Sequence, residues 1–146
     1  MSLPGSSAWL VFALLSAGFA ALTAIFAKIG VAEVNSNLAT LIRTVIIAAI
    51  LGVFLAATDG LRALSSIPAR SWLFLSFSAL ATGASWACYF RALQLGDAAR
   101  VAPIDKLSVV LVAIFAVIFL GERLSAANWL GVGLIACGAL LIAFGK

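Results

Sequence analysis

Long apolar runs alternate with short polar breaks along this chain, and the pattern recurs five times in 146 residues. The runs cover residues 8–29, 38–57, 71–90, 98–120 and 126–144. Each is close to the ~20 residues a helix needs to cross the hydrocarbon core of a bilayer. The runs are continuous rather than alternating, which predicts helices and argues against the two-residue period of a membrane barrel. The breaks carry helix-end chemistry. "EVNSN" at 33–37 offers Asn and Ser caps for the second helix. The longest connector, 58–71, holds Pro68, which blocks helix continuation. Gly96 stops the third helix and Asp97 is a cap for the fourth; Gly121 and Ser125 play the same parts before the fifth.

Within the runs, small residues mark faces where helices can approach closely. Ala13, Ala17, Ala20, Ala24 and Ala27 form one stripe in the first span. Gly131, Gly138 and Gly145 recur at steps of seven in the last, and are expected on one packing face. Trp9, Trp72 and Trp129 each stand near a predicted helix start, where interfacial aromatic anchors belong. Trp86 does not; it lies deep in the third span.

Composition settles the solvent. The chain is 65% hydrophobic and 10% charged, against about 25% charged in ordinary globular chains. Its mean hydropathy is +1.24. Lipid surrounds most of it. A net charge of +4 would invite a nucleic-acid partner in a soluble protein, but nine Lys and Arg scattered singly make no basic stripe. Cys88 and Cys137 lack CxxC spacing and the chain has no His, so zinc and a disulfide framework find no support. Both cysteines are expected as small buried hydrophobes. No cation precedes the first apolar run, which outlasts the apolar part of a signal peptide, so it is expected to remain in the mature protein. No phosphate-binding loop and no carboxylate pair at catalytic spacing within a span appears. Neither enzyme chemistry nor a cofactor or metal is expected.

Candidate chemistry then concentrates where charge meets apolar sequence. Asp105 and Lys106 open an almost unbroken apolar run, and an intramembrane charge is paired or functional. If the fourth helix starts at Asp97, Asp105 lies roughly 12 Å along it, beyond a kink at Pro103. If it starts at Pro103, a favoured first position, Asp105 lies in the first turn near the membrane surface. Both starts stay open. Adjacent helical residues point about 100° apart, so Asp105 and Lys106 are poorly placed to pair with each other. Arg43 in the second span is a possible partner for Asp105. Thr23, Trp86 and Tyr89 complete the set of cavity candidates. Trp86 and Tyr89 share a face of the third helix, and a deep Trp can stack on an organic ligand or hold a cation over its ring.

The second half of the chain also resembles a known family. "YFRALQLGDAARVAP" followed by "PIDKLSVVLVAIFAVIFLGERLSAANWLGVGLIACGALLIA" is similar to the end of an EamA-type module of the drug/metabolite transporter superfamily. The "GERLS" turn is the most specific piece, and "FAKIG" in the first span fits the same pattern. The resemblance implies a ten-helix plan built from two five-helix repeats of opposite orientation, with the ligand path between them. One repeat alone implies an antiparallel, inverted homodimer, or an inverted partner subunit encoded separately. In that setting Glu122 is a helix-end and interface residue. The expected fold class is therefore an all-α membrane protein: a single domain over 1–146 of five transmembrane helices, one EamA repeat. It would be a multi-pass protein of a bacterial or archaeal cell (inner) membrane.

Charge bias permits that assembly. Arg62, Arg70 and Arg123 fall on the side of the N-terminus; Lys28, Arg91, Arg100 and Lys146 fall on the other. Three cations against four is a weak orienting signal, and permits dual topology; counting Arg43 and Lys106 as juxtamembrane makes the second side six and the bias real. The expected function is a secondary transporter of a small organic metabolite or drug, working by alternating access and coupled to protons through Asp105. The alternative is a noncatalytic membrane subunit or scaffold that works only with a partner.

Overall fold

The computed structural model describes residues 8–145, and its regular elements are helices. They are α1 (Ala8–Gly30), α2 (Ser36–Ala57), α3 (Ala69–Leu95), α4 (Ala98–Asp105), α5 (Ser108–Phe115) and α6 (Ala126–Phe144). Five helical stretches are long and apolar enough to span a bilayer: α1, α2, α3, α4 continued by α5 to Leu120, and α6. Their apolar side chains point outwards almost everywhere, as in Val53, Leu80 and Phe119. Water would make such a surface untenable; lipid makes it ordinary.

Local chemistry accounts for the ends. Asn35 caps α2, its Oδ1 accepting from the backbone N–H groups of Asn37 (2.9 Å) and Leu38 (3.4 Å). Ser125 caps α6 through Oγ, which accepts from the Asn128 N–H at 3.2 Å. Asp97 does stand at the start of α4, yet its side chain makes no capping bond. The connector before α3 is a 3₁₀ turn, Gly60–Ser66, and Pro68 stands immediately before Ala69. α3 runs past the apolar stretch that defines it in the sequence. Arg91 and Gln94 interrupt hydropathy without interrupting the backbone, because their side chains find partners at the helix end.

Two compact units divide the chain: Met1–Ala27 with Leu95–Lys146, and Lys28–Gln94. In the first, α6 packs along α4 and against α5. The buried positions here are alanines: Ala24, Ala27, Ala113, Ala116 and Ala139. Ala27 closes this unit's stretch of α1. Small residues permit close backbone approach where no hydrophobic force drives association. The alanine stripe of α1 is buried only at Ala24 and Ala27, while Ala13, Ala17 and Ala20 are exposed. An Arg100 Nη2 on α4 donates to the Gly145 carbonyl just beyond α6, at 3.4 Å.

The fourth span starts at Ala98, so Pro103 lies inside it, and it then breaks. Proline has no N–H for the carbonyl four residues before it. The following bonds shorten to the three-residue step of a 3₁₀ turn. Leu107 N–H reaches Ile104 O, Val109 N–H reaches Lys106 O and Val110 N–H reaches Leu107 O, each at 3.0 Å. Helix resumes as α5 at Ser108. At the far end, residues Ala116–Leu120 form a widened π turn, closed where Gly121 and Glu122 both donate to the Ala116 carbonyl. Gly121 has φ +68°, the left-handed region where a side chain is strained. That is why the fourth span ends there.

In the second unit, hydrogen bonds from side chains hold the α1–α2 turn to the end of α3. Lys28 Nζ donates to the Leu93 carbonyl at 2.6 Å, placing a cation at the negative end of a helix. Gln94 Nε2 donates to Val31 O (3.0 Å) and Val34 O (2.7 Å), and Arg91 Nη1 donates to Gln94 Oε1 (3.1 Å). Val31 and Leu93 between these bonds are fully buried. Replacing Gln94 by Leu leaves two carbonyls without that donor. We expect a loss of about 1–3 kcal/mol of stability, read as a lower thermal midpoint in detergent.

Two sequence expectations change here. Cys88 and Cys137 are exposed, not buried, because lipid-facing helix surfaces take small apolar side chains as readily as cores do. Gly145 lies outside α6, so it does not extend a glycine face. A Cβ at Gly145 would sit 2.5 Å from the Leu141 carbonyl oxygen, which reads as a helix-end requirement. The fourth span keeps its expected bounds, 98–120, with a break after Asp105.

Candidate functional site

The candidate residues fall into two groups, one in each compact unit. Asp105 and Lys106 belong to the first unit, at the break between α4 and α5. Lys106 Nζ lies 3.3 Å from Asp105 Oδ2. The expectation that these neighbours are poorly placed to pair is thus corrected. It assumes a continuous helix, whereas α4 ends at Asp105 and the flexible Lys106 side chain folds back. Both groups stay accessible, with side chains 37% (Asp105) and 56% (Lys106) exposed. An ion pair this open is held weakly and can exchange partners. Thr23 is half-buried on α1.

Arg43, Trp86 and Tyr89 belong to the second unit, so the proposed Arg43–Asp105 pair is not a feature of either unit taken by itself. α2 carries Arg43 seven residues beyond Ser36, roughly 10 Å into the helix. Its guanidinium carbon sits 4.2 Å from the centre of the Trp86 ring and 5.5 Å from that of Phe90. Trp86 and Phe90 are one helical turn apart on α3, so both rings face the same side. The cation over Trp86 is therefore the protein's own. The attraction is strongest where water is excluded. Tyr89 is half-buried and lies edge-on to Phe90, ring centres 6.5 Å apart. Thr40 and Thr44 flank Arg43, but their hydroxyls donate back to Ser36 O and Thr40 O, both at 2.8 Å.

The interface candidates look different from the charged ones. Around Gly131 and Gly138 nothing lies within 4 Å of where a Cβ would be. Among the described residues, these glycines leave room for a Cβ, so their face is open within the unit. Glu122 is exposed in the turn after Gly121. Sequence reasoning missed Gln94 and the Lys28 bond to Leu93. The available signal was a Gln ending an apolar helix, too common to single out.

Comparison with known proteins decides the family. Residues 7–144 match the EamA-like transporter family. The chain belongs to that family. A protein of Sinorhizobium sp described as an "uncharacterized transporter in cobO 3'region" is 64% identical over 138 residues, which covers 94% of this chain and 98% of that protein. No solved structure matches the chain. The EamA membership agrees with the five apolar helices, and together they make this a multi-pass integral membrane protein. Within the EamA match lie all the residues singled out above except Gly145 and Lys146.

Proposed function

We propose that the chain is a secondary transporter that moves a small organic metabolite or drug across a bacterial cell membrane by alternating access, with Asp105 coupling movement to protons. The break in the fourth span carries the reading. It sets an accessible Asp105–Lys106 pair inside a stretch otherwise apolar enough to span lipid. A broken helix exposes backbone and charge where a transported ion or ligand passes, and such breaks are tolerated only where they line a cavity or are covered by protein. The relative's description as a transporter supports the same reading.

One five-helix repeat supplies half of an inverted-repeat plan. The working unit in this proposal is an antiparallel homodimer, each copy carrying one repeat. Its open face around Gly131 and Gly138 is the contact it offers. The near-even cation count on the two sides suits insertion in both orientations.

Two experiments test the reading. Purified protein reconstituted without any partner is expected to take up members of a metabolite panel when a pH gradient is imposed. A homomer inert towards every compound, and active only when a second protein is added, would establish the subunit reading instead. Single cysteines placed at positions 2 and 146 are expected to label from both sides of the membrane in intact cells. Labelling from one side alone, with no partner protein present, would remove the inverted homodimer.

A further inference from the structure

The stack on Arg43 has a chemical consequence. A guanidinium carries five N–H donors, and cation–π contacts use its flat face while leaving that edge free. Among the described residues, Arg43 donates no hydrogen bond. The two hydroxyls beside it are turned onto their own helix. The two acidic residues of the unit, Glu33 and Asp59, lie outside α2, and Asp59 is held by Arg62 at 3.2 Å. A cation within a membrane span that donates no hydrogen bond attracts an anion, because lipid offers it none.

Geometry and charge narrow the anion. An arginine fork can offer two parallel N–H bonds along one edge. That matches the two coplanar oxygens of a carboxylate. A single negative charge also cancels a single positive one. A phosphate dianion would leave an uncompensated charge, and the cations nearest in sequence on α3 and α1 are engaged elsewhere, Arg91 with Gln94 and Lys28 with Leu93. We propose that Arg43, backed by Trp86 and Phe90, is a carboxylate-binding site, and that the ligand moved by this chain is an organic carboxylate. The second clause rests on the transport reading above; the first does not.

Trp86 provides the readout. In a background with Trp9, Trp72 and Trp129 changed to Phe, the protein is placed in phosphatidylcholine nanodiscs and titrated with benzoate, benzamide and benzylammonium. Benzoate alone is expected to change Trp86 emission saturably. Arg43→Lys keeps the charge but loses the planar fork, and is expected to weaken benzoate at least fivefold. Arg43→Gln is expected to abolish binding, with thermal unfolding showing that each variant is folded. Equal response to benzylammonium, or benzoate binding unchanged in folded Arg43→Gln, overturns the site; the second result would mean that benzoate binds elsewhere. Uptake assays separate the two readings. Transport of cationic or neutral compounds by a protein that does not bind benzoate leaves the transporter standing and the site refuted. Benzoate binding lost in Arg43→Gln, in a protein that transports nothing, does the reverse.

Discussion

Asp105→Asn is expected to cut uptake driven by a pH gradient at least tenfold, about 1.4 kcal/mol or more of lost coupling, while the protein stays folded. Asparagine keeps the shape and hydrogen-bonding reach of the side chain and removes the group that can carry a proton. Lys106 loses its partner at 3.3 Å, but its side chain is 56% exposed and free to find another. Ion pairs as open as this contribute at most about 1 kcal/mol, so the thermal midpoint should move little. Lys106→Gln separates the roles. It removes the partner and keeps the carboxylate, so coupling should persist in altered form. A purely structural pair predicts that both variants lose stability alike and that neither changes the pH profile. Full uptake with an unchanged pH profile in Asp105→Asn would end the coupling role.

Gly138→Leu should divide folding from assembly. Leucine at this position enters open space, since nothing lies within 4 Å of the added Cβ. Leucine also favours helix over glycine by up to about 1 kcal/mol. The single chain should therefore be as stable as before, or slightly more so. If α6 meets a second copy through its glycine face, the same side chain stands between two backbones. Dissociation of the homodimer should then rise tenfold or more, measured by size in detergent across a dilution series or by single-molecule photobleaching in vesicles. Gly131→Leu, two turns away, should act in the same direction. Ile135→Leu, which conserves volume, should do neither. An unchanged oligomer in Gly138→Leu would show that the open glycine face meets lipid alone.

How far the sequence reaches is clear from particular residues. The last span was legible to the residue, 126–144, because Ser125 and the apolar run agree. The second was legible to within two residues, since Asn35 rather than Asn37 takes the cap. The third was cut short at Phe90, because hydropathy ends where Arg91 begins although the helix does not. The contacts of the charged candidates were less legible. The stacking of Arg43 on Trp86 and Phe90 was not legible, because it joins two helices of one unit. Asp105 and Lys106 were expected to part, and they meet.

By itself the sequence determined that this chain is a lipid-embedded protein with five helices long and apolar enough to span a bilayer, and that it belongs to the EamA family, whose "GERLS" turn it carries. The physical reason is that lipid imposes a local rule. Each backbone group must find its partner within the same helix, so length, apolarity and end caps suffice to read a span. Tertiary structure decided the rest. Gln94 bonds Val34 across sixty positions, and Arg43 reaches Trp86 from another helix; such pairs depend on how helices lie together, which no local period encodes. Even the short-range Asp105–Lys106 contact depends on tertiary structure. It exists because the helix gives way after Pro103, and whether a proline kinks, starts or breaks a helix is decided by what the surrounding helices allow.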